Sequence, residues 1–238
     1  MPETEQAGQT EEISQKGCAC VEAIEVQQQM LPETNVTTEE IEIGGSPAYF
    51  FVKRLLDILL SIIAAVILMI PMLLIALLVK LDSEGPVLYT QERLGLNGKP
   101  FMIYKFRTMI VDAEAGGPRW AAVNDQRCTR LGAVLRKSRL DELPQLINIL
   151  KGEMSLVGPR PERAYFYNIF ETYIPGFRNR MVVKPGLTGL AQVNGGYSLL
   201  PEEKLVYDME YVRTQSLPLD ILCMLKTARL VITHKGAR

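Results

Sequence analysis

The chain has 238 residues, 47% of them hydrophobic, so its length allows one domain of moderate size and its composition alone does not indicate a membrane protein. Its net charge of −1 hides an acidic stretch, because residues 1–46 hold ten acidic side chains and one lysine, whereas the basic remainder suits anionic lipids, phosphorylated substrates or nucleic acid. Four scattered cysteines and one histidine exclude a zinc pattern or disulfide framework and favour a reduced, cytosol-facing body.

Residues 1–46 are rich in Glu and Gln, contain few large apolar residues and end in Gly-Gly-Ser. This composition predicts a disordered acidic leader, in which a short helix at 22–30 is the one element that the pattern allows. The leader lacks a basic segment running into an apolar one, so we do not expect a secretory signal.

An uninterrupted apolar run follows at residues 62–79. Eighteen helical residues would extend about 27 Å, close to the hydrocarbon thickness of a bilayer, so a membrane segment is favoured over a buried core helix. Pro71 predicts a break near Ile70–Pro71, and the run could cross the bilayer or turn back as a re-entrant hairpin. Basic residues flank both ends, so the positive-inside rule does not choose between the two.

Two short strands are predicted next, at 87–93 and 101–109, joined by a turn that contains Asn97-Gly98. In the second strand, Lys105 and Arg107 would share a face with apolar neighbours. We expect them to point towards an anionic ligand or a partner carboxylate.

The rest of the chain alternates predicted helices and loops. We expect loops at 112–127 and 184–196, a stiff connector at 158–161, and helices that end near Lys151-Gly152, cover 165–173 and cover 217–232. The final helix is apolar and basic, which fits either a membrane interface or ordinary core packing.

Asp141 and Glu142 are the first candidates for chemistry. Pro144 is tolerated only in the first turn of a helix, so a helix should begin within about three residues before it, with Asp141 at or near its cap. Such acids often only cap a helix. Arg136 stands just upstream, however, and a carboxylate at this place would keep a low pKa, stay ionised and be able to attack phosphorus.

Cations would complete such a site. Arg160 lies between two prolines that reduce the entropy lost when its guanidinium binds phosphate, although a solvated arginine is an equal alternative. Lys105, Arg107 and Arg136 are individually weaker candidates. Mg²⁺ held by Asp141 would mask the repulsion between two anions, and Glu142 could activate the second substrate as a base. Gly186 and Gly189 could let backbone amides approach a nucleotide, or could simply be turn glycines.

Taken together, these segments resemble the bacterial sugar transferase family, the monotopic polyprenyl-phosphate phosphoglycosyl transferases. The matching segments, in the order of the family, are KRLLD at 53–57, the apolar run with Pro71, QERLG at 91–95, YKFRTM at 104–109, LDELPQ at 140–145, SLVGPRPE at 155–162 and KPGLTG at 184–189. The likeness covers about residues 47–238 and leaves the acidic leader outside.

The resemblance implies transfer of a sugar 1-phosphate from a UDP-sugar to undecaprenyl phosphate, with release of UMP, at the start of exopolysaccharide or other surface glycan synthesis. Asp141 would form an aspartyl phosphosugar with help from Mg²⁺, and Glu142 would share the catalytic role. Arg136 and Arg160 would bind phosphate, as would Lys105 with less support. The resemblance also favours the re-entrant hairpin, with the catalytic domain on the cytoplasmic side of the bacterial inner membrane.

The predicted fold class is therefore α+β and mostly helical. It has a disordered leader at 1–46, a Pro-broken re-entrant membrane helix at 47–82, and a small cytosolic catalytic domain at 83–238 with a short β-hairpin and interfacial amphipathic helices. A homodimer is left open, as are direct transfer without a covalent adduct and a non-enzymatic regulator with the same fold. No nucleic-acid partner is expected, since no aromatic and basic binding motif is present.

Overall fold

The structure, a computed structural model, describes residues 41–114, 117 and 125–233. It is mostly helical (62%) with a small antiparallel sheet of two strands, which confirms both features of the predicted class. Most of the acidic leader with its predicted helix at 22–30, and most of the predicted loop at 112–127, lie outside the described residues. The predicted division into three domains stays a prediction.

The first helix, α1 (Pro47–Ile67), has a well-defined start. Ser46 precedes it in extended conformation and accepts a hydrogen bond from the backbone N–H of Tyr49 at 3.2 Å, while Pro47 occupies the first turn. A serine cap followed by proline satisfies one free N–H and removes another. The helix therefore begins where the Gly-Gly-Ser-Pro sequence ends.

The second helix, α2 (Met69–Asp82), follows after a single residue, Leu68, and is bent by 63° from α1. The break was predicted at Ile70–Pro71 and lies slightly earlier. Proline lacks the N–H that would bond to the carbonyl of the residue four positions before it and its ring clashes with that carbonyl. For Pro71 that residue is Ile67, which is the last residue of α1.

Most side chains around the bend are apolar and exposed, including Val66, Ile67, Met69 and Ile70. No single helix in the described ranges is long and apolar enough to cross a membrane, whereas α1 and α2 together meet that requirement of length and composition.

Two polar side chains join α1 to the body. Arg54 donates from Nη1 to the carbonyl oxygen of Ile149 at 2.7 Å and from Nη2 to that of Leu150 at 3.0 Å. Asp57 is buried and accepts from the backbone N–H of Leu156 at 2.9 Å and from Ser155 Oγ at 3.1 Å. These bonds explain two polar residues in a helix that is otherwise strongly apolar.

A third connection runs to the last helix through Asp220, which is buried. Its Oδ2 accepts from Lys53 Nζ at 2.8 Å and from the hydroxyl of Tyr49 at 3.0 Å, and its Oδ1 accepts from the hydroxyl of Tyr211 at 2.7 Å. The start of α1 is therefore fixed to the C-terminal part of the chain.

The predicted hairpin is present as β1 (Leu88–Leu94) and β2 (Pro100–Phe106), paired antiparallel with Leu88 opposite Phe106. Asn97 adopts the left-handed conformation (φ 54°) in the turn, as its Asn-Gly sequence predicts. β2 ends three residues earlier than predicted, and this difference decides where Arg107 points.

The remaining elements place the site. The helices are α3 (Arg130–Ser138), α4 (Leu146–Lys151), α5 (Ala164–Tyr173), α6 (Leu190–Asn194), α7 (Pro201–Thr214) and α8 (Leu217–Thr233), with 3-10 turns at Leu96–Gly98, Leu140–Gln145, Phe177–Val182 and Gly196–Ser198. The predicted ends of α4, α5 and α8 are confirmed to within a residue or two, whereas α3 and α7 were not predicted.

The predicted loop at 184–196 is wrong. It contains β4 (Gly186–Thr188), which pairs in parallel with β3 (Ser155–Val157), and then α6. A Cβ atom on Gly186 would lie 2.1 Å from the backbone nitrogen of Gly158, and one on Gly189 would lie 2.2 Å from the Gly158 carbonyl oxygen. Both glycines therefore allow close approach of two chain segments, a structural role different from the turn that the sequence left open beside nucleotide binding.

Small apolar clusters hold these elements together. One lies between β2, α4 and α1 and includes Ile103, Ile149 and Met154. A second joins α2 to β2 and α3 through Val79, Phe106 and Leu135. Further clusters are formed by α5 with the following turn, and by β3 with α6, α7 and α8. α1 and α2 thus pack on the body along one side and leave the other side exposed.

Candidate active site

The acid pair lies in the 3-10 turn Leu140–Gln145, directly before α4. Arg139 precedes the turn in the left-handed conformation (φ 58°), which ends α3 and starts the new turn. Asp141 and Glu142 occupy the first turn, as Pro144 predicts, although the helix begins one residue earlier than expected and is 3-10 before it becomes α. Each acid is 8% exposed.

Glu142 is held by two cations from different parts of the chain. Lys105 on β2 donates to Glu142 Oε1 at 2.8 Å. Arg160 donates from Nη1 to Oε2 at 3.3 Å and from Nη2 to Oε1, a two-bonded contact. Burial opposes ionisation of Glu142, but Arg160 and Lys105 outweigh it and hold the pKa of this carboxyl well below its usual range. Lys105 therefore has the partner carboxylate that its place on the strand predicted.

Asp141 has the opposite character. Its carboxylate makes no hydrogen bond or ion pair with any described residue. Burial, followed by the charge of Glu142, raises the pKa of Asp141 to about 6, against the lowering effect of Lys105, Arg136 and Arg160. The predicted low pKa of Asp141 is therefore wrong, because the sequence did not show that the carboxyl is buried beside a second, fully ionised one.

Arg136 approaches the pair from α3. Its Nε donates to Thr108 Oγ1 at 2.9 Å, and its charge acts on Asp141. A Cβ atom on Gly132 would lie 2.0 Å from the carbonyl oxygen of Thr108, so glycine allows α3 to pack closely enough for this contact. The structure thus brings Lys105, Arg136 and Arg160 together around the acids.

Arg107 is not part of this cluster. β2 has ended at Phe106, and the guanidinium turns towards the end of α2. Its Nη2 donates to the carbonyl oxygens of Val79 at 3.2 Å and Ser83 at 2.6 Å. The predicted phosphate-binding role does not fit this geometry, because the side chain is buried and bonded to a helix C-terminus, where a cation stabilises the carbonyl ends.

Arg160 lies in a connector that is fixed through successive carbonyl groups. The carbonyl oxygen of Pro159 accepts a hydrogen bond from the backbone N–H of Gly186 at 2.9 Å. The carbonyl oxygen of Arg160 accepts one from Arg180 Nη2 at 3.0 Å. The carbonyl oxygen of Pro161 accepts one from Arg93 Nη1 at 3.2 Å. Two of its residues are prolines and have no N–H to donate. Bonds from three separate elements therefore hold the connector, and its predicted stiffness stays a prediction.

Three polar residues near the site were not predicted. Arg180 and Asp208 form a fully buried ion pair, with 2.6 Å between Arg180 Nη2 and Asp208 Oδ2. Gln145 is buried at the end of the acid turn, and its Nε2 has no hydrogen-bond partner among the described residues. The place of Gln145 three residues after Glu142 was a usable signal, because residues three apart in a 3-10 turn share a side. Nothing local indicated Arg180 or Asp208.

The acids provide a limited metal site. No group of three or more His, Cys, Asp or Glu residues within the described ranges could hold a metal ion. Glu142 is occupied by cations, whereas the Asp141 carboxylate is available. Mg²⁺ commonly uses one or two carboxylates together with substrate phosphates and water, so a single available carboxylate fits a metal that arrives with a phosphorylated substrate.

Comparison with known proteins supports a single family. The family model described as bacterial sugar transferase matches residues 48–234. The chain is 45% identical over 196 residues, 81% of its length, to a UDP-N-acetylgalactosamine-undecaprenyl-phosphate N-acetylgalactosaminephosphotransferase of Aeromonas hydrophila. It is also 45% identical over 79% of its length to a UDP-glucose:undecaprenyl-phosphate glucose-1-phosphate transferase of Xanthomonas campestris pv. campestris.

The lengths of these relatives differ. The chain spans 46% of the Aeromonas protein and 40% of the Xanthomonas protein, less than half of each. It spans 96% of the exopolysaccharide production protein PSS of Rhizobium leguminosarum bv. phaseoli, at 40% identity over 191 residues.

Proposed function

The chain belongs to the bacterial sugar transferase family, and from that premise we propose that it transfers a sugar 1-phosphate from a UDP-sugar to undecaprenyl phosphate and releases UMP. Relatives named as transferases of this kind, with two different sugars, support the reaction class. They do not agree on one sugar, so the proposal extends to the UDP-sugar class and to the lipid phosphate.

The observation that carries the proposal is the asymmetry of the acid pair. Glu142 is neutralised by Lys105 and Arg160, while Asp141, next to it, makes no bond to any described residue. Asp141 is therefore the acid of the pair that no protein cation in the described residues occupies, which leaves its carboxylate available to a substrate. Three cations around it would attract a diphosphate. Asp141 is therefore the nucleophile in our proposal.

In the first step, an Asp141 oxygen attacks the phosphorus that carries the sugar. The bond from that phosphorus to the bridging oxygen breaks, and UMP leaves with the electron pair. The raised pKa of Asp141, about 6, makes it more nucleophilic than an ordinary ionised aspartate while it stays largely charged at neutral pH. Arg136, Arg160 and Lys105 stabilise the negative charge that develops on the phosphate oxygens.

In the second step, an oxygen of undecaprenyl phosphate attacks the same phosphorus. The bond between this phosphorus and the Asp141 oxygen breaks, which regenerates the carboxylate and leaves a lipid diphosphate sugar. The acceptor is already an anion, so it requires little help from a base. The low pKa of Glu142 makes it a weak base. Its predicted role as base stays a prediction, and the geometry supports a role in holding Lys105 and Arg160 in place.

Mg²⁺ is part of the proposal, and Asp141 would hold it together with the phosphate groups of the substrate. When bound, it would reduce the charge repulsion between the carboxylate and the diphosphate. The protein supplies the remaining groups. The 3-10 turn orients the Asp141 carboxylate, and the connector at 158–161 holds the Arg160 guanidinium near the acid pair.

We place α1 and α2 in the cytoplasmic face of the bacterial inner membrane as a re-entrant segment, with the catalytic part on the cytoplasmic side. The exposed apolar side chains around Leu68 and the bend of 63° support this. Polar contacts of Lys53, Arg54 and Asp57 with the body keep the start of α1 beside the catalytic part. In α8, Ile221, Leu222 and Leu225 are exposed opposite buried Cys223, which fits a helix lying in the interface.

A role in exopolysaccharide or other surface glycan synthesis is the biological part of the proposal, supported by the name of the Rhizobium relative. The homodimer stays a prediction.

Trapping the intermediate tests the mechanism. The purified protein in lipid is incubated with Mg²⁺ and a panel of UDP-sugars labelled in the β-phosphate, without acceptor, and the label on protein is measured. With at least one UDP-sugar we expect stoichiometric labelling of the protein and release of UMP. The Asp141→Asn variant should show neither labelling nor UMP release. Addition of undecaprenyl phosphate should then move the label to lipid.

Two other outcomes have distinct meanings. Full turnover without labelled protein would show direct transfer between the two substrates. No UMP release across the whole panel, with Mg²⁺ and acceptor present, would show a non-enzymatic member of the family. Asp112→Asn, a change at an exposed acid in a turn, serves as the control that should keep both labelling and turnover.

A further inference from the structure

The Arg180–Asp208 ion pair is the most completely buried pair of charges in the described residues. Arg180 is 2% exposed and Asp208 1% exposed. Arg180 lies in the 3-10 turn after α5, its guanidinium packs 5.0 Å from the centre of the Phe177 ring, and Asp208 comes from the middle of α7.

Stability alone does not account for this pair. Removing two charges from water carries a large free-energy penalty, and an apolar pair of similar volume is often as stable or more so. The alignment here is also incomplete, because neither Asp208 oxygen makes a well-oriented hydrogen bond to a described residue, and Arg180 Nε is buried without a partner. Burial raises the pKa of Asp208 to about 6, which Arg180 and Lys204 partly oppose.

What the pair does contribute is one directed bond. Arg180 Nη2, the nitrogen that faces Asp208 Oδ2 at 2.6 Å, also donates to the carbonyl oxygen of Arg160 at 3.0 Å. Arg160 is the residue that binds Glu142 with both of its terminal nitrogens. The peptide group that carries the site arginine is therefore oriented by a buried cation, which is itself held by a buried anion.

Neighbouring bonds show why this one matters. The carbonyls of Pro159 and Glu162 accept from backbone N–H groups of Gly186 at 2.9 Å and Leu94 at 3.0 Å. Those of Arg160 and Pro161 instead accept from the side chains of Arg180 and Arg93. At Arg160 itself, the orientation of the peptide group thus depends on a side chain.

We propose that Arg180, held by Asp208, is a positioning residue for the transferase reaction: it fixes the Arg160 peptide so that the Arg160 guanidinium is aligned with Glu142 and with the substrate phosphate. This inference rests on the proposed function and adds two residues to it. Neither residue contacts the substrate.

The central experiment replaces the pair and measures folding and activity separately. Arg180→Met alone leaves Asp208 buried and uncompensated, and it should lower both the melting temperature and the rate of UMP release. The double variant Arg180→Met/Asp208→Leu removes both charges and should recover most of the melting temperature. We expect its kcat to remain about tenfold or more below that of the parent, with KM for the UDP-sugar changed less, because misplacement of a group costs rate more than binding.

Three comparisons complete the test. Arg180→Lys keeps a cation that can donate to the carbonyl and should retain more activity than the double variant. Phe170→Leu, a core change in the same apolar cluster, should lower the melting temperature without the loss of kcat. In an Arg160→Ala background, the double change Arg180→Met/Asp208→Leu should reduce activity less than about twofold further, because residues that act through one another are not additive. Wild-type activity in this assay, or its absence, tests the proposed function itself.

A readout that needs no turnover keeps the inference separate from the proposed function. In protein labelled with ¹⁵N at arginine Nε, the Arg160 signal, assigned by its loss in Arg160→Lys, should be sharp in the parent and broadened or shifted in the double variant. An unchanged Arg160 signal, or a double variant with parental kcat, would show that the buried pair is structural only and overturn the proposal.

Discussion

Among the buried aspartates of the described residues, Asp141 and Asp208 both have a pKa raised to about 6. Asp208 is sealed between α7 and the turn after α5, with Arg180 at 2.6 Å. Asp141 lies in the 3-10 turn before α4, its neighbour Glu142 is bonded to Lys105 and Arg160, and its own carboxylate makes no bond to a described residue. A raised pKa therefore does not by itself identify a nucleophile. The features that distinguish the proposed nucleophile Asp141 from Asp208 are the access of substrate to its carboxylate and the absence of a protein partner among the described residues.

The largest expected difference between the two aspartates is in catalysis. Asp141→Asn should lower the rate of UMP release by about 10³-fold or more, since removal of a nucleophile leaves only the contributions of binding and charge stabilisation. Asp208→Asn should cost about ten- to a hundredfold and should still form the labelled intermediate. The measurement is a quench assay with labelled UDP-sugar.

Equal losses in the two variants would contradict the distinction between nucleophile and positioning residue. Thermal melting of both proteins provides the control, because a low melting temperature of Asp208→Asn would otherwise mimic a catalytic loss.

A second prediction concerns Glu142. Glu142→Gln removes the charge that holds Lys105 and Arg160, so we expect UMP release to fall by about a hundredfold. The same change should lower the pKa of Asp141, because the charge of Glu142 is the second largest cause of its elevation. The pH profile of labelling therefore should shift its acidic limb to lower pH in this variant. An unshifted limb would mean that burial alone sets the Asp141 pKa.

The pH dependence of stability separates the sites further. The folded pKa of Asp141 lies above that of an unfolded aspartate, so its charge is a cost at pH 8, and this cost disappears as pH falls from about 6 to about 4. Asp141→Asn should therefore raise the free energy of unfolding by about 1 to 3 kcal/mol at pH 8 and by little at pH 4. Urea denaturation at both pH values measures it.

A stabilisation that is equal at the two pH values would show that the amide acts through packing rather than through the removed charge. The exposed variant Asp112→Asn should show no stabilisation at either pH.

The smallest effect on catalysis is expected at Arg107. Arg107→Met removes the bonds to the end of α2, so we expect a loss of about 1 to 3 kcal/mol in unfolding free energy, from carbonyls left without their charged donor. UMP release, compared at a temperature where both proteins are folded, should change by no more than about threefold. A loss of UMP release comparable to that of Glu142→Gln would show that Arg107 does take part in the active site.

Local patterns predicted a large part of the fold. The apolar run, the Asn-Gly hairpin and the ends of α4, α5 and α8 follow from periodicity and from cap and turn residues within a few positions of each other. The 3-10 start of the acid turn and the break at Leu68 were each misplaced by one to three residues. In both cases proline exerts its effect up to four residues earlier in the chain.

Long-range contacts account for what the sequence did not show. The pairing of β3 with β4 joins segments about thirty residues apart, so the stretch at 184–196 looked like a glycine-rich loop. The direction of the Asp141 pKa depends on burial and on which carboxylate takes the cations. Arg107 was assigned to the wrong face because β2 ends one residue before it. The pairing of Arg180 with Asp208 spans 28 positions, and no local pattern encodes it.

The contact of Arg54 with the carbonyls of Ile149 and Leu150 has a mechanical consequence. α4 has six residues and directly follows the 3-10 turn that contains Asp141 and Glu142. Its last turn accepts the hydrogen bonds from Arg54 of α1. On the proposed membrane placement, a movement of α1 along the membrane normal would move α4, and with it Asp141, by the same amount. The height of the nucleophile above the lipid is then a fixed dimension of the protein, and the acceptor phosphate has to come to it.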